Sequence, residues 1–277
     1  MAKKPAVVGP LDGSEIALKA LGAAQAVAKI MDAILHVVHV AEGKISEDRL
    51  LERLKIDRLE VGTCLLKQIA GNPVEAVLGF ATDIGAKMII LSTHGWTYNR
   101  AHLLGATGTG ILQGAAIPVL AIRPDMKKMP HPDWQPKKML CPINGSLSAI
   151  AGMKEIFELA GSLGTSVDVL NVAVHGEKRP TGVGTMATSE YQDYPHRDIQ
   201  AWAEEFIRRC CNSKPPSVET KMFQRAGDPV KAILAFSEEH KADLIALTWQ
   251  GQLEPGRAKT VKGLLKVTEL PVLVTKT

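Results

Sequence analysis

The chain has 277 residues, enough for one large or two medium domains, and 45% of them are hydrophobic but only 4% aromatic, so its cores must be built from Ala, Val, Leu and Ile. The net charge of +4 is mild, and the lysine pairs Lys127–Lys128 and Lys137–Lys138 lack the interleaved aromatics of a nucleic-acid surface. No apolar run approaches the ~18 residues of a membrane span, and the four cysteines Cys64, Cys141, Cys210 and Cys211 lack CxxC spacing.

The cysteine usage suggests neither a disulfide framework nor a metal site, and a reducing cytoplasm is the expected location. The opening MAKKPAVVG has a basic start followed by a proline and a strand-like run, not the apolar segment of a signal peptide.

In chain order, AVVGPL (6–11) reads as a short buried strand ending at Asp12-Gly13-Ser14. A helix follows, with Ala17, Leu21, Ala24 and Ala28 at three- or four-residue spacing. AILHVVHV is the second strand, SEDRLLERLKIDRL an amphipathic helix and GTCLLKQIAG a third strand. Pro73 then opens a helix from its first position. KMIILS is a continuous apolar strand and PVLAIRP the last of this set. The stretch 123–138 carries four prolines and reads as an extended linker.

The pattern is then written again. VVGPLDGSEIALKAL (Val7–Leu21) returns as MLCPINGSLSAIAGM (Met139–Met153), and GNPVEAVLGFATDIGAKMIIL (Gly71–Leu91) as GDPVKAILAFSEEHKADLIAL (Gly227–Leu247). AAIPVLAIRP returns as TELPVLVTKT. The offset is 132 residues at the first match (Val7 to Met139) and 156 at the second (Gly71 to Gly227), so the second copy carries extra length around 175–198. This is a tandem duplication. The expected organisation is a first domain over 1–124, a linker over 125–137 and a second domain over 138–277. Strand–helix alternation with apolar strands implies an α/β fold: two tandem doubly wound, Rossmann-like domains, each a five-stranded parallel sheet of order 3-2-1-4-5.

In such a sheet a ligand sits at the carboxyl ends of the strands where the winding reverses. Two strand-end loops carry unusual chemistry: Asp12-Gly13-Ser14, and LSTHGWTYNRAHLLGATGTG (Leu91–Gly110). In the second loop Gly105, Gly108 and Gly110 do not make a G-x-G-x-x-G fingerprint, and Ile111-Leu112 stand where a Walker loop needs Lys-Ser/Thr. Thirteen residues before Pro118 lies Gly105, and ten before that Gly95, so the loop reads Ser92-x2-Gly95-x9-Gly105-Ala106.

With Pro10-x-Asp12-x-Ser14 in the first loop, this spacing resembles the universal stress protein family in tandem form, whose pattern is P-x-D-x-S followed by G-x2-G-x9-G-Ser/Thr. The resemblance covers both halves of the chain. Two residues depart from it: Ser92 replaces the first glycine and Ala106 the hydroxyl residue. The resemblance implies ATP, alone or with Mg²⁺, in the first domain. Pro10, Asp12 and Val40 would line the adenosine side, with Leu91 and Ser92 beneath it. Gly95, Gly105, Ala106 and Thr107 would meet the phosphates, where a helix N-terminus favours an anion. Arg100 and His102 could add positive charge.

In the second copy Asn144 replaces Asp12, Ala258 stands at the Gly105 position, and only six residues separate Gly251 from Ala258. Those six include Glu254 and Pro255, and Trp249 is bulky where the family has a small residue. This copy reads as a scaffold with a degenerate loop, although Arg257 and Lys259 leave another anion open. His36 and His39 read as structural histidines, Ser14 as a helix cap, Cys210–Cys211 as packing, and the insertion holding Gly182-Val183-Gly184 as an exposed loop.

Three functions stand at this point. The first is an adenine-nucleotide-binding stress-response or signalling protein with no dedicated catalytic residue, capable at most of slow ATP hydrolysis. The second is an interaction module of the same fold that acts through protein partners without nucleotide. The third, an enzyme such as an adenylyl transferase, lacks that class's histidine or SGGxDS signatures. The two copies are expected to pack as an internal pseudo-dimer, and the resemblance adds homodimerisation; neither nucleic acid nor membrane is an expected partner.

Overall fold

The computed structural model describes residues 4–57, 64–95, 104–144, 147–173, 214–251 and 258–276. Arg100, His102, the insertion around 175–198, Cys210–Cys211, and the loop residues Glu254, Pro255 and Arg257 lie outside the described residues. The chain divides into two compact units, Met1–Gln135 with Glu269–Val274, and Pro136–Thr268 with Thr275–Thr277.

The first unit runs β1 (Ala6–Pro10), α1 (Glu15–Leu18), α2 (Leu21–Ile30), β2 (Ile34–Val40), α3 (Glu47–Leu54) and β3 (Leu65–Ile69). It continues with α4 (Pro73–Asp83), β4 (Ala86–Ser92), α5 (Ala106–Gly114) and β5 (Val119–Ile122). The strand order is β3-β2-β1-β4-β5, with every neighbouring pair parallel. Val7, Val8, Val37, Val38, Ile89 and Ile90 are all buried on adjacent positions, so both faces of the central strands are covered, as a parallel sheet requires.

The single helix expected after β1 is two. Lys19 N–H donates to Ile16 O and Ala20 N–H to Ala17 O, so the chain tightens to three-residue hydrogen bonds between α1 and α2. The amphipathic helix stops at Leu54, short of the expected span, because Lys55 takes a left-handed conformation (φ 56°, ψ 39°).

The second copy runs β6 (Lys138–Ile143), α6 (Leu147–Leu163), β7 (Ser166–Ala173), β8 (Thr220–Ala226), α7 (Pro229–Glu239), β9 (Leu244–Trp249), α8 (Lys259–Val267) and β10 (Val272–Lys276). Its order β8-β7-β6-β9, again parallel, repeats β3-β2-β1-β4. β10 is divided by the unit boundary after Val274.

Local devices are duplicated as well. Gly71 (φ 110°) and Gly227 (φ 116°) make the same left-handed turn before a capping residue and a first-position proline. Asn72 accepts from Val74 and Glu75 N–H, and Asp228 from Lys231 N–H. At the end of the first strand pair His39 Nδ1 lies 2.8 Å from Leu11 O, and at the equivalent place Asn171 Nδ2 donates to Ile143 O at 3.3 Å. Each side chain pins a strand-end loop to its neighbouring strand. The residues 125–135 lie along α2: Met126 and Pro130 are buried and Lys29 pairs with Asp133 at 2.8 Å.

Candidate functional site

β1 and β4 are neighbours whose connecting helices leave in opposite directions along the sheet, so a crevice opens beyond their carboxyl ends. A cavity of about 320 Å³ occupies it. All nine residues that the resemblance implies, Pro10, Asp12, Val40, Leu91, Ser92, Gly95, Gly105, Ala106 and Thr107, line this one cavity.

Its lining is of two chemical kinds. Val38, Val40, Pro73, Val77, Leu91 and Ile111 make an apolar wall. Asp12, Ser92, Thr93, His94 and the first turn of α5 supply its polar lining. Asp12 is held by Ser14 N–H, which donates to Oδ1 at 2.8 Å. Ser14 itself caps α1, with its Oγ accepting from Ala17 N–H at 3.0 Å. Thr93 Oγ1 and His94 Nδ1 are hydrogen-bonded at 2.9 Å.

The start of α5 is set by its neighbour. Gly105 N–H donates to Thr93 O at 2.9 Å, tying the helix to the end of β4. Gly105 is the N-cap (φ −63°, ψ 159°) and supplies no side chain to the turn. Among the described residues nothing accepts from the N–H groups of Ala106, Thr107 and Gly108, the donors a helix start leaves open. With the positive end of the helix dipole they favour a bound anion. Ser92 Oγ is buried and, among the described residues, without a hydrogen-bond partner. A buried polar atom of that kind is satisfied by a ligand or water.

Neither the spacing nor the resemblance singled out Val38, Pro73, Val77, Thr93, His94, Gly108 and Ile111. Val38 lies two residues before Val40 on the same strand face, so alternation alone would have found it. Pro73 and Val77 arrive from α4 because β3 pairs with β2, and nothing in their own segment signals that placement. His36 packs edge-on to the Phe80 ring at 5.6 Å. Among the described residues no group of three His, Cys, Asp or Glu side chains could hold a metal ion.

The second unit differs at the equivalent place. Asn144 follows β6 where Asp12 follows β1, and Trp249, at the end of β9, is 6% exposed where Thr93 stands in the first copy. Ala258 takes a left-handed conformation (φ 50°, ψ 37°) at the start of α8. No helix among the described residues is long and apolar enough to cross a membrane.

Comparison with solved structures finds the same fold over the whole chain. A universal stress protein from Archaeoglobus fulgidus DSM 4304 is 17% identical, with a TM-score of 0.64 over 98% of this chain and 96% of its own. A putative universal stress protein from Pseudomonas aeruginosa UCBPP-PA14 is 14% identical, with a TM-score of 0.67 over 99% of this chain and 93% of its own. No curated protein matches. The Universal stress protein family model matches residues 47–123 and 136–276, most of both copies. With the duplicated sheet order and the strand-end loops in the same places, the chain belongs to the universal stress protein family.

Proposed function

We propose that the first unit binds an adenine nucleotide, ATP, and that the protein answers to nucleotide in stress response or signalling and performs no dedicated chemistry. The observation carrying this reading is the cavity itself: apolar side chains line it together with the first turn of α5, whose N–H groups are unpartnered among the described residues. The base and ribose take the side of Val38, Val40 and Pro10. The phosphates take the N–H groups of Ala106, Thr107 and Gly108, with Ser92 Oγ between.

Asp12, the one carboxylate lining the cavity among the described residues, repels a triphosphate directly and therefore suits a ribose hydroxyl, an adenine amine or a phosphate-bound Mg²⁺. Ala106 contributes its N–H but no hydroxyl, a loss of about 1 kcal/mol that Thr107 can offset. In the second unit the buried Trp249, and Asn144 in place of Asp12, support a scaffold role for that copy.

Calorimetric titration of the full chain with ATP tests the reading. It should show one site per chain, weakened by Asp12→Ala and by Gly105→Val. No saturable ATP, ADP or AMP binding at millimolar nucleotide, together with no co-purified nucleotide in native mass spectrometry, would leave the interaction-module function in its place.

A further inference from the structure

The second unit holds another cavity of about 320 Å³, at the amino-terminal ends of its strands, away from the loops that follow their carboxyl ends. Lys138, Asp168, Glu219, Lys221, Phe223 and His240 line it, with Ser166 at the edge. Strand register explains why they meet. Lys138 pairs with Ser166, Leu140 with Asp168, and Asp168 with Lys221, so β6, β7 and β8 turn these side chains to one face. His240, the residue that ends α7, comes from above that face.

The first copy is an internal control. The same register positions there are Ala6 beside Ile34 and His36 beside Leu65, and the residue ending α4 is Ile84. Lys138, Ser166, Asp168, Lys221 and His240 thus stand where the duplicate has Ala6, Ile34, His36, Leu65 and Ile84. A mostly apolar strand end has become a charged one.

The centre of this cluster is a buried charge with spare capacity. Asp168 is 4% exposed, and its Oδ2 has no hydrogen-bond partner among the described residues. Lys138 Nζ and His240 Nδ1 both stand 3.7 Å from that oxygen, too far for hydrogen bonds. Neither closes in, because each is held elsewhere. Lys138 Nζ donates to His240 O at 2.8 Å, and the His240 ring stacks on Phe236 at 3.8 Å and 11°. Lys221 pairs with Glu219 at 3.0 Å, and that bond, the Glu219 charge and then Asp168 raise its ammonium above the ordinary lysine value.

We infer that this cavity binds a small zwitterion, a free α-amino acid, with its ammonium group on Asp168 and its carboxylate on Lys138 and Lys221. Opposite charges along one wall decide the class. A simple anion meets Asp168 and Glu219, and a simple cation meets two lysines. A molecule carrying both charges a few ångströms apart answers each, and the Asp168 carboxylate that lines the cavity gains a charged donor. The Phe223 and His240 rings, edge-on at 4.6 Å, form the apolar boundary against which a side chain rests.

The test is calorimetric titration of the full chain with each of the common α-amino acids, beside ethylamine, propionate and glycerol as probes carrying one feature each. At least one amino acid should bind saturably, and none of the three partial probes should match it. Asp168→Asn and Lys221→Leu should each weaken that binding at least roughly tenfold. Lys221 is exposed and its duplicate is Leu65, so Lys221→Leu keeps the question open to refutation if Asp168→Asn fails to fold. Asp12→Ala, in the other unit, should leave amino-acid binding unchanged. Absence of saturable binding, equal binding of a partial probe, or indifference to Lys221→Leu overturns the assignment. The nucleotide reading stands or falls separately, on ATP titration.

Discussion

Gly95 and Asp12 are in such close approach that a methyl group on Gly95 would lie 2.1 Å from Asp12 Oδ2. Moving Asp12 aside disturbs the hydrogen bond that Ser14 N–H makes to its other oxygen. Glycine at this position therefore serves the carboxylate, by leaving it the room it occupies beside the cavity. Gly95→Ala should move Asp12 and weaken ATP binding at least roughly tenfold. In an Asp12→Ala background the same change should cost little, since the crowded atoms are gone. Additive losses in that double-mutant cycle would mean that Gly95 acts independently of Asp12.

Gly105 and Ala258 begin equivalent helices with the residue types exchanged against expectation. Gly105 has an ordinary φ of −63°, and a Cβ there would meet nothing closer than 3.9 Å. Gly105→Ala should keep the thermal midpoint and weaken ATP, which would place the ligand against that Cα. Ala258 sits at φ 50°, a conformation costing an L-residue roughly 1–2 kcal/mol, partly offset by the flexibility glycine adds to the unfolded chain. Ala258→Gly should stabilise by about 0.5 kcal/mol in chemical denaturation, and Ala258→Val should destabilise.

Two further glycines should respond with opposite signs. A Cβ on Gly22 would lie 2.5 Å from Pro130 O, a backbone atom of the segment lying along α2. Gly22→Ala should cost about 1–3 kcal/mol as that segment is pushed away. Gly79, inside α4, faces open space, and Gly79→Ala should gain about 0.5–1 kcal/mol from helix propensity alone. Denaturant midpoints of the two variants on opposite sides of the parent would verify the docking of 125–135.

Cys141 is fully buried on β6 with its Sγ against Met153 Sδ at 3.3 Å, and burial pushes its thiol from 9.0 to about 12. It should resist iodoacetamide in the native protein and react once unfolded, as peptide mass spectrometry can read. Because the folded state holds the proton more tightly, this group's stabilisation is complete below pH 9 and lost as pH rises toward 12. The slope approaches about 1.4 kcal/mol per pH unit in that window. Cys141→Ala should remove that part of the alkaline slope.

What was legible in the sequence was what is local or repeated. The strands showed as apolar runs, the helix starts as Asn72-Pro73 and Asp228-Pro229, and the doubly wound order followed from strand–helix alternation. The spacing of Gly95 and Gly105 and the family resemblance it carries, which implied Asp12 and Val40 as well, pointed to residues that the structure gathers around one cavity. The break between α1 and α2 and the early end of α3 at Lys55 depended on backbone choices that periodicity does not record.

The rest belongs to pairing across distance. Pro73 and Val77 reach the cavity only because β3 adds beside β2, and Thr93 sets the start of α5 by accepting from Gly105 N–H. Asp168 reads in sequence as one polar residue in a strand. It becomes a buried charge only when Lys138, Lys221 and His240, from three other segments, are brought against it by register. Sequence by itself determined the order of elements and the residues at their ends, since these follow from bonded neighbours. The tertiary structure decided which of those ends face each other, because that depends on strand register and helix placement over many intervening residues.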